Sequence, residues 1–411
     1  MGDWLVLLKR LVRQIWFRAA MFCAAAVVLA LLSALLGELL PQALSVDLGQ
    51  NSVDSILQII ATSMLAVTTF SLATMVSAYS AATTTATPRA TQLLIADPTS
   101  QNALSTFVGS FLFSIVGIVA LSTGYYPEQG RTVLFFGTLV VIAIIVITLL
   151  RWISHLATFG RMADVIDRVE AAASDALRGF AQRPHLGARP AERVPSSARP
   201  VYAETSGFVT TVDVPALQEW AAGARARVHV LAIPGRAADS SSPLVRVEGA
   251  LDEDGERRVR RAFRVEAHRT FEQDPRIGLI ALSEIASRAL SPATNDPGTA
   301  IEVLGALQRV FRELDTPVAD EDPCDRVFAP RPVLRDLIED AFRPIARDGA
   351  ANIEVQLRLQ KTLAALATAF PQHAGEFFRS AVAARRRADA ALDDRDDRRL
   401  LRDVARDAWA P

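Results

Sequence analysis

The chain has 411 residues, 44 of them Lys or Arg and 45 Asp or Glu, for a formal net charge of −1. Both signs are interspersed, so no basic field is available to hold a nucleic-acid backbone, and nucleic acid is excluded as a partner. The two cysteines, Cys23 and Cys324, are too few for a disulfide framework or a four-cysteine zinc site.

Charge is unevenly distributed. Residues 1–150 hold only six of the cations (Lys9, Arg10, Arg13, Arg18, Arg89, Arg131) and six of the anions, and the rest lie in residues 151–411. Four uncharged stretches result, Ala19–Gly37, Ser55–Pro88, Pro98–Pro127 and Thr132–Leu150, of 19, 34, 30 and 19 residues. About 20 apolar residues cross a bilayer, and runs such as FFGTLVVIAIIVITLL are apolar on every face rather than on one stripe. The pattern predicts four transmembrane helices at about 17–40, 55–87, 102–124 and 132–153, a membrane domain over 1–160 with the lipid bilayer as its partner.

Arginine and lysine flank the first span on its N-terminal side and follow the fourth as Arg151, Arg161 and Arg168, while the loop 41–54 has neither. The positive-inside rule then predicts a multi-pass membrane protein with both termini cytoplasmic. No ionisable side chain falls well inside a span, which argues against proton relays and ion-coupled pumping.

The second span is too long and too polar for a lipid-facing helix. Its 33 residues before Pro88 would extend about 50 Å, several turns more than the bilayer needs. Thr62, Ala66, Thr69, Ala73, Ser77, Ser80, Thr84 and Thr87 recur along it at steps of three and four, and all are small. Such a stripe either packs helices closely or lines a watery path around an oligomer axis. Four spans enclose too little space for a path by themselves, so a conduit needs several copies, and the small-residue stripe with the excess length of the second span predicts a homo-oligomer.

Val165, Ile166 and Val169 continue the fourth span as a helix through Phe180, and prolines at 184, 190, 195 and 200 predict a stiff linker, together spanning 161–200. Residues 201–265 read as a small β module: GFVTTVDV, ARVHVLAI and PLVRVEG as strands, PALQEWAAG as a helix, and Pro234-Gly235 as a turn. The hairpins loosely resemble the half-barrels of biotinyl and lipoyl carriers, but those need a lysine at the tip and none lies between Lys9 and Lys361. Residues 266–411 read as a helical cytoplasmic domain. The fold class is α+β: four membrane helices, then a cytoplasmic domain with a small β module and a mostly helical remainder.

The sharpest local signal is EQDPRIGLIALSEIASRALSPATNDPGTAIEV, in which two helices each open with Asp-Pro, at 274–275 and 296–297. Aspartate caps free amides, and proline in the first turn sacrifices no hydrogen bond. Gln273, Asp274, Arg288, Ser291, Asn295, Asp296 and Thr299 gather polar groups there, either as a tightly capped structural corner or as a receiver of a small anion or protein partner. Glu284 and Arg288 stand at i and i+4.

The five histidines form no HExxH or HxH pair, and there is no phosphate loop, dinucleotide fingerprint or serine-hydrolase elbow. No catalytic residue, cofactor or metal is predicted. An enzyme built on His268, Asp274 and Asp296 is the weakest of three readings, behind a channel with a cytoplasmic gate or sensor and a membrane-anchored sensor or scaffold.

Several of these features together resemble a family. The basic amphipathic start, two spans around a short loop, a Ser/Thr/Ala-rich second span ending in Pro88-Arg89, the GFV…VD…L module with its Pro-Gly turn, and QDP…IASRALSPATNDPGTA are similar to bacterial predicted membrane proteins grouped as domain of unknown function 2254. That resemblance implies a bacterial inner-membrane protein and supplies no reaction.

Overall fold

The computed structural model describes residues 50–123, 128–319 and 324–409, with a few isolated helical positions between 20 and 28. The span expected at 17–40 therefore lies largely outside the described residues. The chain divides into two compact units, one reaching Thr84 and resuming over Thr91–Asp164, the other made of Thr85–Ala90 and Val165–Pro411.

In the first unit, three helices have the length and composition to cross a membrane. Helix α1 (Gln50–Thr85) has 36 residues and an axial length of about 54 Å. Pro88 then opens the short α2 (Pro88–Ile95). Helix α3 (Pro98–Ser122) starts four residues earlier than its hydropathy predicts, because Asp97 accepts a hydrogen bond from Ser100 N at 2.7 Å and Pro98 occupies the first turn. Helix α4 (Glu128–Leu156) follows.

Close packing inside this unit uses α3. Its buried face includes Ser105, Gly109, Ser110, Ser114 and Gly117, and a Cβ on Gly117 would sit 2.9 Å from Leu57 Cδ1 of α1. The hydroxyls of Ser105 and Ser114 bond carbonyls one turn back, at 2.6 and 2.9 Å, so they need no partner from a neighbouring helix. Trp152 of α4 donates to Ser71 Oγ of α1 at 2.8 Å. The opposite side of α4 exposes Phe136, Val140, Ile147 and Leu150, as a lipid-facing surface requires.

The helix expected to run on from the fourth span is interrupted. It ends at Leu156, and α5 (Met162–Gln182) begins after a turn in which Gly160 is left-handed, with φ +75°. A Cβ on Gly160 would stand 2.9 Å from that of Ala78, so the turn needs glycine both for its backbone and for space.

The second unit carries two sheets. Strands β1 (Ala188–Pro190), β2 (Arg199–Tyr202), β4 (Arg227–Val230), β6 (Pro243–Glu248) and β8 (Cys324–Ala329) form a mixed sheet in the order β1-β8-β4-β6-β2. Strands β3 (Gly207–Val212), β5 (Ala237–Ala238) and β7 (Phe263–Glu266) form a smaller one in the order β5-β3-β7. Helices α6 (Val214–Ala224) and α7 (Glu253–Arg261) lie among these strands in the chain. Val228, Val230, Val245, Val247 and Val327 alternate inward with Leu217 and Trp220 to form the core.

Two expectations are corrected here. The proline-rich stretch 183–200 is not only a linker: it holds β1, parallel to β8, and the first half of β2, antiparallel to β6. Proline is compatible with these places because both are sheet edges, where a missing N–H costs no ladder bond. The stretch 266–411 is not wholly helical, since β8 inserts between β1 and β4. The six residues of β8, CDRVFA, are too few for their period to distinguish strand from helix.

The remaining helices are α8 (Pro275–Ala289), α9 (Pro297–Arg312), α10 (Leu334–Asp348), α11 (Ile353–Ala369), α12 (Ala374–Ala391) and α13 (Arg395–Ala408). Phe311, Phe342 and Phe377 lock α9, α10 and α12 together, with ring centroids 5.5 and 6.0 Å from that of Phe311. Helix α8 approaches α5 so closely that a Cβ on Gly278 would lie 2.4 Å from Ala173 Cβ and 2.7 Å from its Cα. Backbone on both sides leaves no room, so Gly278→Val is expected to destabilise the unit by about 1–3 kcal/mol or more. The check is chemical denaturation, in which an unchanged midpoint would deny this close contact.

Candidate functional site

The motif fragments scattered through the sequence meet in the second unit. Gly235 N donates to Val209 O at 2.8 Å, and Val209 N donates to Arg236 O at 2.9 Å, fixing the Pro-Gly turn to β3. Gly235 is left-handed, with φ +89°, and a Cβ there would fall 2.5 Å from a carboxylate oxygen of Asp274. Gly207 abuts β7 so closely that a Cβ would lie 2.4 Å from Glu266 O. The start of α8 is stitched to the end of β3 by Gln273, whose Oε1 accepts from Val212 N at 2.9 Å.

Asp274 is 1 % exposed and fully engaged. It caps α8 by accepting from Arg276 N at 3.0 Å, and it pairs with Arg269 Nε at 2.7 Å. Beside this knot opens a cleft of about 620 Å³, whose lining includes Phe180, Arg183, Asp213, Gln273 and Cys324 and a rim of prolines. That volume suits a small ligand. Burial, with the charge of Asp325 behind it, pushes the Cys324 thiol up, so it is a poor nucleophile.

The residues expected to form one corner separate into two places. Gln273 and Asp274 open α8, whereas Ser291, Asn295, Asp296 and Thr299 follow its other end, about 22 Å away along a 15-residue helix. At the far end Asp296 caps α9, accepting from Thr299 N at 3.1 Å and Thr299 Oγ1 at 2.6 Å. The Thr299 hydroxyl, then its amide, holds the Asp296 carboxyl below its ordinary value. The cap is thus fully present above the ordinary carboxylate range and is lost as pH falls through the depressed value.

Asn295 takes the left-handed turn at φ +49°, and Ser291 Oγ, beside it, donates to the Arg288 carbonyl at 2.7 Å. Arg288 stands in the last turn of α8. Ser291 and Asp296 of this corner bond the local backbone. His268, Asp274 and Asp296 do not converge, and among the described residues no three His, Cys, Asp or Glu side chains are placed to hold a metal.

On α1, Thr62, Ala66, Thr69, Ala73, Ser77, Ser80 and Thr84 are exposed, and the helix buries another face through Leu57, Ala61, Met64, Ser71 and Met75. The hydroxyls of Thr62, Thr69 and Thr84 bond carbonyls of their own helix at 2.9 to 3.1 Å. Thr87 differs from the rest of the stripe: it is buried and donates to Glu284 of α8 at 2.7 Å, and Arg89 pairs with the same carboxylate.

Sequence reasoning missed this three-residue clasp, since its partners lie 195 and 197 positions apart and none is unusual locally. It also missed a cluster in the first unit, where His155 Nε2 lies 3.0 Å from Asp97 Oδ2 and 3.4 Å from Ser100 Oγ. One ring nitrogen meets both groups, whereas a catalytic triad uses the two nitrogens separately, so this is a helix cap clasping α3 to α4.

Replacing Asp274 by Ala would leave the Arg269 charge half-sequestered and the first turn of α8 uncapped. The expected cost is about 3–5 kcal/mol, read as a lowered melting temperature, whereas loss of less than about 1 kcal/mol would mark the pair as dispensable.

Comparison with known proteins agrees with the membrane character of the first unit. Three uncharacterised proteins, MT1328 and Rv1290c of Mycobacterium tuberculosis (strains CDC 1551 / Oshkosh and H37Rv) and Mb1321c of Mycobacterium bovis, are each 28% identical over 246 residues. The match covers 57% of this chain and 47% of theirs, so it spans about half the length of those relatives. No solved structure matches. The family described as predicted membrane protein, DUF2254, matches residues 12–365, and the chain belongs to it.

Proposed function

We propose that the chain forms a homo-oligomeric conduit in the bacterial inner membrane, with both termini and the second unit on the cytoplasmic side, and that the second unit gates it. The observation that carries this reading is the α1 stripe, exposed from Thr62 to Thr84 and ending in Thr87, which Glu284 holds. Small side chains let copies of α1 approach an axis, and their oxygens offer dipoles without fixed charge. Displacement of α8 would act on the end of α1 through Thr87 and Arg89.

A sensor or scaffold without transport is the second reading, favoured by the cleft beside Gln273, which can receive a ligand whether or not anything crosses the membrane.

Reconstituted in liposomes, the purified chain is expected to pass ions or small solutes under a voltage or osmotic gradient. Thiol modification of Thr69→Cys or Ser77→Cys should alter that flux, and Glu284→Gln should shift the open fraction about tenfold, equivalent to about 1.4 kcal/mol. Liposomes that stay silent, with self-association intact, would eliminate the conduit and leave the sensor.

A further inference from the structure

Away from the cleft, α10 and α12 enclose a groove of about 390 Å³. Arg335 and Arg343 stand on one wall and Arg379 and Arg387 on the other, above Ile338 and Ala346. Each pair is eight residues apart, about 12 Å along its helix, so positive charge is spread over the length of the groove.

Internal neutralisation is incomplete. Glu339 pairs with Arg335 at 2.9 Å, but Glu376 comes no nearer than 3.8 Å to Arg379 and shares its carboxylate with His373 at 3.7 Å. Arg387 bonds only the Ala383 carbonyl of its own helix, at 3.3 Å, and Arg343 makes no hydrogen bond or ion pair among the described residues. Three arginines elsewhere in this unit are matched more closely: Arg178 with Glu313 at 2.9 Å, Arg276 with Asp340 at 2.6 Å and Arg309 with Glu170 at 2.6 Å.

Four guanidinium groups facing two carboxylates leave a net positive groove with an apolar floor. Guanidinium forks fit the oxygens of phosphoryl groups, bind them in pairs and lose little hydration in doing so. We propose that the groove between α10 and α12 binds a multiply charged phosphorylated anion, either a soluble polyphosphate or a phospholipid headgroup.

The test is calorimetric titration of the full chain, in phosphatidylcholine nanodiscs, with inorganic tripolyphosphate. Saturable binding is expected, weakening as salt is raised. It should fall at least tenfold in Arg343→Glu with Arg387→Glu, and stay at the wild-type level in Arg399→Glu on α13. The milder Arg343→Gln with Arg387→Gln serves if charge reversal lowers the melting temperature.

Nanodiscs containing cardiolipin separate the two sources. Weaker tripolyphosphate binding there would mean that headgroups compete for the groove, and unchanged affinity would identify a soluble ligand; both agree with the proposal. No saturable binding by the wild type, or equal affinity in the wild type and the folded double variant, overturns it.

Discussion

The carboxylate of Glu284, midway along α8, holds the chain between α1 and α2. It accepts from the buried Thr87 hydroxyl and pairs with Arg89, and residues 85–90 belong to the second unit although helices of the first precede and follow them. The Arg89 and Glu284 side chains are 44% and 35% exposed, and an ion pair that open is worth about 0–1 kcal/mol. Thr87 adds more weight, since a buried hydroxyl stripped of its acceptor costs about 1–3 kcal/mol.

A bilayer gives no hydrophobic reward for bringing apolar helices together, so the contacts inside the first unit rest on small residues and on hydroxyls already bonded within their own helices. Helix α3 follows that rule with a serine and glycine face packed against its own chain. Helix α1 differs: the face it packs internally carries Leu57, Met64 and Met75, and its small-residue face stays exposed. In the proposed conduit, that face is the one a further copy of the chain would cover. The conduit reading and the clasp therefore converge on one element, with α1 supplying the surface and Glu284 its restraint.

Much of the architecture was legible because it is written in local patterns. Apolar runs marked the three described membrane helices, and Asp-Pro pairs marked the starts of α8 and α9 to the residue. The breaks in that legibility share a physical cause. Strand β1 has three residues and β8 six, and each exists because a distant partner completes its ladder. The turn at Gly160 reflects the proximity of Ala78, and the clasp joins residues nearly two hundred positions apart. The expected corner divides for a related reason: a 15-residue helix holds its two ends about 22 Å apart. The α10–α12 groove escaped notice because arginines at a spacing of eight on two separate helices look, in sequence, like ordinary solvated faces.

The most direct measurement is thiol cross-linking of Arg89→Cys with Glu284→Cys by a short bismaleimide, in native membranes and in a chain whose Cys23 and Cys324 are serine. The Glu170→Cys and Arg309→Cys pair, joined across α5 and α9 in the wild type, is the reference. Residues 85–90 seated on α8 should give an intrachain product in yield similar to the reference. A reference pair that reacts while 89 and 284 stay unlinked would contradict the clasp, and with it the proposed route from α8 to α1.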